Sequence, residues 1–77
     1  MTTIKEIARC RSRAERVGMC IEWLRRNGVA INIVLSQHGY TVELCLRGYW
    51  QAVDSDSDAE LDALLLDACR RVEKENK

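Results

Sequence analysis

The sequence predicts an α+β fold in the order α-β-β-(β)-α, in which the bracketed element is a short third strand. Apolar residues recur at helical spacing toward both ends of the 77-residue chain. Between them the period changes to the alternation that is typical of strands, interrupted by a glycine turn. Each strand is apolar on one face and each helix carries one apolar stripe. We therefore expect a small antiparallel sheet with two helices packed on one face.

The first helix is predicted over about residues 3–27. Thr3 and Glu6 have the spacing of a capping box, and Asn27-Gly28 is typical of a helix end. The apolar stripe comprises Ile4, Ile7, Ala14, Val17, Ile21 and Leu24. Arg11 and Gly18 weaken the middle of this helix, whose other face carries arginines and glutamates.

Two alternating segments predict a hairpin over about residues 29–47, with its turn at 37–40, and residues 49–53 form the short third strand. Val42, Leu44 and Leu46 are expected to face the core. The opposite face is expected to bear Asn32, Val34, Thr41, Glu43, Cys45, Arg47 and one of Tyr49 or Trp50.

The second helix is predicted over about residues 58–73. Ser57 and Glu60 have capping-box spacing, and the aspartates before the helix suit the positive end of its dipole. Its stripe of Leu61, Leu64, Leu65, Ala68, Cys69 and Val72 follows the helical period with few defects.

The length is that of a single domain spanning residues 1–77. A chain this short buries only about 60–65% of its unfolded surface, so a partner or self-association would stabilise it. No apolar run approaches the roughly 20 residues of a membrane span, and the first residues lack the layout of a secretory signal. We expect a cytoplasmic protein without membrane contact, in which the four cysteines are reduced and mostly buried.

Few residues point to catalysis or to a bound cofactor. The single histidine, His38, lies in the predicted hairpin turn, and the four glycines are isolated from one another. The aspartates at 54–58 lack the glycine of a calcium loop, because its position is occupied by Ala59. The cysteines have no CxxC spacing. We therefore expect a protein that is not an enzyme and that holds no metal or cofactor.

Nucleic-acid binding is one alternative. Residues 1–27 hold seven Lys or Arg against three Glu, and Arg9, Arg13 and Arg16 are the candidate phosphate contacts. The element order also resembles that of the double-stranded RNA-binding domain, which implies phosphate contacts from basic residues at the start of the last helix. Here that position is Ser57-Asp58-Ala59-Glu60-Leu61-Asp62, whose charge repels phosphate.

The segment Arg47-Gly48-Tyr49-Trp50 is the strongest candidate for a protein contact. Adjacent residues of a strand point to opposite sides, so one of the two aromatic rings is left outside the core. Trp, Tyr and Arg are enriched at binding hot spots, although packing of one ring over the sheet rim explains the segment equally well. We assign Glu43 and the acidic residues Asp54, Asp56 and Asp58 to the same partner-binding surface.

In size, element order and absence of a catalytic motif, the whole chain resembles the small accessory proteins of phages and prophages, including anti-CRISPR and other anti-defence inhibitors. The resemblance implies a monomer or dimer that works by occupying a surface of a host protein, and it assigns no individual residue. The leading hypothesis is a non-enzymatic protein-binding module. The alternatives are a nucleic-acid-binding domain and a homodimeric structural protein.

Overall fold

Within residues 2–53 and 60–75, which the computed structural model describes, the chain forms a three-stranded antiparallel sheet with three helices on one side. The elements in chain order are α1 (Ile4–Arg9), α2 (Arg13–Arg26), β1 (Ala30–Ser36), β2 (Gly39–Leu46), β3 (Tyr49–Ala52) and α3 (Leu61–Glu75). The α+β class and the predicted order are therefore confirmed, and the short third strand is present.

The sheet is a meander in the order β1-β2-β3. Ile31 pairs with Leu44, and Leu44 pairs with Gln51, so β2 is the central strand. The turn from β2 to β3 consists of Arg47 and Gly48, at φ 54° and 84°. Positive φ at both turn residues matches the right-handed twist of the strands, and it fixes the register in which β3 returns along β2.

The predicted continuous helix over 3–27 is wrong, because the chain leaves the helix between α1 and α2. Cys10 has an extended backbone (φ −64°, ψ 129°), and Ser12 then caps α2 by accepting a hydrogen bond from the Glu15 amide at 3.3 Å. The predicted Thr3 cap is present on α1, with the Glu6 amide 3.3 Å from Thr3 Oγ1. By capping α2, Ser12 satisfies one of the free backbone amides at the start of this helix. The chain can therefore change direction between α1 and α2, and α1 contacts both α2 and α3.

The last helix begins at Leu61 and continues to Glu75, two residues beyond its predicted end. Its predicted start at 58 and the Ser57 cap lie outside the described residues. Arg71 of α3 donates a hydrogen bond from Nη1 to the carbonyl of Ala52 at 3.1 Å, which ties the helix to the end of β3.

The core lies between the sheet and the helices. α3 contributes more of it than any other described element, as its regular leucine stripe predicts. The buried apolar residues are Ile4, Ile7, Cys20, Leu24, Val42, Leu44, Leu46, Val53, Leu64, Leu65, Ala68, Cys69 and Val72. Full burial of one large aliphatic side chain contributes about 1.5–3 kcal/mol. Because the conformational entropy lost on folding offsets most of the sum, a core of this size leaves the folded state only marginally stable.

A buried ion pair joins the helices to one another. Arg16 Nη1 lies 2.5 Å from Asp62 Oδ2, and Asp62 is only 6% exposed. Arg16 Nη2 also donates a hydrogen bond to the carbonyl of Cys10, at the break between α1 and α2. One guanidinium therefore holds the end of α1 and the first turn of α3 against α2.

We expect Asp62→Ala to lower the free energy of unfolding by about 3 kcal/mol, because it leaves the Arg16 charge buried without its partner. Urea unfolding followed by circular dichroism measures this change. The matched control is Glu60→Ala: Glu60 faces Arg13 at 3.8 Å with both side chains more than half exposed, so the change should be below about 1 kcal/mol. Equal losses in the two variants would contradict a structural role for the buried pair.

Candidate functional site

The sheet face opposite the helices has no described element packed on it. We call this surface the open face. Its residues alternate along the strands with those that enter the core, and most of them are exposed. They are Ala30, Asn32, Val34, Thr41, Glu43, Cys45, Trp50 and Ala52. All the members of the open face that were predicted from the hairpin, apart from Arg47, lie on it.

Trp50 is the largest side chain on the open face. It pairs across the sheet with Cys45, which in turn pairs with Ala30. Cross-strand neighbours lie about 5 Å apart, so side chains as short as those of Cys45 and Ala30 leave the indole standing above the sheet. Trp50 is 55% exposed although it belongs to a paired strand. It is an aromatic group with much of its surface available to a partner.

Tyr49 lies on the other side of β3, beside Leu46 at the rim of the helix-covered face. It is 74% exposed. Both rings of the predicted aromatic pair are therefore exposed, on opposite sides of the sheet. The expectation that one of them would enter the core is wrong, because β3 is a short edge strand against which no described helix packs.

Arg47 differs from its predicted position on the open face. It lies in the turn with positive φ, and its Nη2 is 3.6 Å from Oε2 of Glu75 at the end of α3. The left-handed backbone of the turn directs the side chain toward the helices. Arg47 and Trp50 are therefore close in sequence but serve different sides of the molecule.

Glu43 occupies the centre of the open face and is half-buried. One of its carboxylate oxygens accepts a hydrogen bond from Nδ2 of Asn32 at 3.2 Å. A partner that covers this face therefore meets one anchored negative charge. The remaining predicted acidic contacts, Asp54, Asp56 and Asp58, lie outside the described residues.

The far end of the β1–β2 hairpin exposes four apolar or aromatic residues, of which only Val34 was expected on the open face. Leu35 is 70% exposed, Val34 42%, Tyr40 38% and Ile33 36%. The sequence contains a signal of this surface, because residues 29–36 include no charged residue. β1 is also an edge strand, and it is paired along only one side with a described strand. An uncharged apolar edge is a surface to which another strand can add.

The three arginines predicted to bind phosphate do not form one stripe. Arg9 is exposed at the end of α1, and Arg13 is exposed beside Glu60 at the start of α2. Arg16 is unavailable, since its guanidinium is held by Asp62 and the Cys10 carbonyl. The assignment of Arg16 to a nucleic-acid surface is therefore wrong, because Arg16 lies one turn before the buried Cys20, on the side of α2 that packs against α3.

The cysteines, all within the described ranges, are free thiols. Cys20 and Cys69 are fully buried between α2 and α3, and Cys69 Sγ lies 3.7 Å from the carbonyl oxygen of Cys20. Hydrogen bonding to Cys20, together with burial, holds the pKa of the Cys69 thiol above its ordinary value. Cys10 and Cys45 are half-buried.

The described part of the chain contains neither a metal-ligand cluster nor a membrane-spanning helix. No group of three or more His, Cys, Asp or Glu side chains is placed there to hold a metal ion. No helix among these residues has the length and apolar character needed to cross a membrane.

We expect a thiol reagent such as DTNB to modify Cys10 and Cys45 in the folded protein, and Cys20 and Cys69 only after unfolding. The buried pair is shielded from the reagent, and Cys69 is also kept protonated. Absorbance at 412 nm counts the modified thiols with and without guanidinium. Trp50→Ala should accelerate modification at Cys45, its cross-strand neighbour, while leaving the rate at Cys10 unchanged. Equal rates for all four thiols in the native state would contradict this packing.

Comparisons with known proteins assign the chain to no group. No protein-family model, no curated protein and no solved structure gives a significant match. The open face and the end of the hairpin are therefore the features from which a function can be proposed.

Proposed function

We propose that this chain is a small, non-enzymatic protein-binding module of the cytoplasm, and that it contacts its partner through the open face with Trp50 as the anchor. The observation that carries the proposal is a tryptophan 55% exposed above short neighbours, on a sheet face that no described element covers. Tryptophan is among the residue types enriched at the centres of binding hot spots. Glu43, held by Asn32, adds a fixed charge that orients a partner.

The open face is too small to form a stable protein interface by itself. From strand spacing and rise per residue, three strands of this length present about 350 Å². A stable interface of standard size buries roughly 800 Å² on each partner. A tight complex therefore needs contacts beyond the open face, and a partner that reaches around the edge strand β1 would meet Leu35, which is exposed on the other side of the sheet.

Within this proposal, the mode of action is inhibition by occupation of a surface. The resemblance to phage accessory proteins of the anti-CRISPR type suggests a host protein as the target. A rigid sheet with an aromatic anchor suits this task, because little conformational entropy is lost when a preformed surface binds.

We expect Trp50→Ala to weaken partner binding by about 30-fold, which corresponds to about 2 kcal/mol at a hot spot. The partner is first identified by affinity purification of the tagged chain with and without nuclease, and affinity is then measured by calorimetry. The control, Tyr49→Ala, removes an aromatic group from the opposite side of β3 and should have a smaller effect. Unchanged affinity in a folded Trp50→Ala protein would rule out the anchor.

The same purification tests the nucleic-acid alternative. Nuclease-sensitive absorbance at 260 nm without a stable protein companion would contradict the proposal and favour a basic surface near Arg9 and Arg13. In that case Arg9→Glu combined with Arg13→Glu should abolish binding, and the affinity should fall steeply with salt.

A second candidate is a homodimer formed by antiparallel pairing of β1 with the same strand of another copy. The observation that favours it is the uncharged free edge of β1, with Ile33 and Leu35 exposed beside it. Pairing about a two-fold axis at the strand centre would produce a six-stranded sheet, satisfy the free backbone groups and cover both apolar side chains.

We expect Ile33→Lys to abolish such a dimer, because the two-fold axis at the centre of β1 would place the two lysines opposite each other. Sedimentation equilibrium over a range of protein concentrations measures the mass. Thr41→Lys on the central strand β2 is the control and should not change the association. A wild-type chain that remains a monomer at every concentration would eliminate this candidate.

A further inference from the structure

A groove with a volume of about 940 Å³ lies on the helical side of the molecule, between the start of α1, one face of α2 and the end of α3. It is lined by no residue of the described strands, so it is separate from the open face. α2 supplies Glu15, Gly18, Met19, Glu22, Trp23 and Arg26, which recur at intervals of three and four residues. One continuous helical stripe of about 17 Å therefore forms its long wall.

The floor of the groove is apolar. Met19 and Trp23 are half-buried and pack against the core while their remaining surface faces the groove, and Ile4 of α1 lies beside them. Most of the other lining side chains are exposed, so the groove is an open trough. A small ligand is normally enclosed over most of its surface, which this shape does not permit. A longer, rod-shaped occupant fits it better.

Gly18 in the middle of this wall has no structural reason to be a glycine. A Cβ atom at this position would meet nothing within 4 Å, and the residue lies inside α2. Glycine in a helix interior costs about 1 kcal/mol relative to alanine. The missing side chain leaves a notch in the wall at the centre of the groove, where the backbone of a second helix can approach closely.

The charged residues that line the groove indicate which kind of partner it binds. Three carboxylates line it, those of Glu15, Glu22 and Glu73, against the single guanidinium of Arg26. Glu22 Oε2 lies 3.5 Å from Arg25 Nη1, and both side chains are more than half exposed, so solvent weakens this ion pair. The rim therefore favours a positively charged partner.

We propose that this groove binds an amphipathic helix of a partner protein, one that places an apolar stripe on Trp23 and Met19 and basic side chains against the glutamates. An apolar floor flanked by charges is the arrangement that binds such helices elsewhere. The length of the α2 wall matches about three turns of the bound helix, and the notch at Gly18 lies midway along them. The proposal does not depend on the open face or on Trp50.

The test is a selection from a displayed library of 18-residue helical peptides, with a fixed leucine stripe and with Lys, Glu, Gln or Ser at the remaining positions. The bait is the full chain with Trp50→Phe, which leaves Trp23 as its only tryptophan. We expect the selected peptides to be rich in lysine and to change the fluorescence of Trp23. Two variants should each bind the selected peptides roughly tenfold or more weakly. One is Gly18→Leu, and the other is the double variant Glu15→Lys with Glu22→Lys.

Ala63→Leu is the matched control, since it places the same leucine side chain at an exposed helical position outside the groove. Because leucine suits a helix better than glycine, Gly18→Leu should remain folded and be at least as heat-stable as the parent. Recovery of no binder, of acidic or neutral binders, or of binders insensitive to Gly18→Leu would overturn the proposal. Binding of a partner at the open face should be unchanged in Gly18→Leu, so the two proposals fail independently.

Discussion

The arrangement of the helices depends on the ion pair between Arg16 and Asp62. Here α1, α2 and α3 are held by a single side chain, through the Cys10 carbonyl on one side and the Asp62 carboxylate on the other. Both charges are largely withdrawn from water, so each is costly without the other. The surrounding apolar contacts alone would tolerate other relative positions of the helices. Those positions are disfavoured because they would separate the Arg16 guanidinium from the Asp62 carboxylate.

This helical layer determines which surfaces of the molecule remain available. α2 and α3 cover the apolar face of the sheet, where Val42 and Leu44 are fully buried, and leave its other face open. α1 crosses the two longer helices, and the groove lies beside its first turn. The open face and the groove consequently lie on opposite sides of a thin, two-layered molecule.

The candidate site was predictable only in part. The alternation of residues 41–46 and the pair Tyr49-Trp50 indicated an aromatic group outside the core, and Trp50 is placed as that argument requires. The position of Arg47 was not predictable, because its left-handed backbone belongs to a turn that alternation does not describe. Arg16 was assigned to the surface since arginine on a helix is usually solvated. Its partner Asp62 is 46 residues away along the chain, and local sequence carries no signal of that contact.

Local interactions in the sequence determined the classes of the elements and their order. Helical periodicity, strand alternation and short-range caps such as Thr3 with Glu6 all operate within a few residues, so they can be recognised without a structure. Only the tertiary structure decided which arginine is withdrawn from solvent by an ion pair, and that Leu35 at the end of the hairpin stays exposed. The physical reason is that burial depends on what packs against a residue, and α3, which packs on the central strand β2, comes after β3 in the chain and so is distant in sequence from the strand it covers.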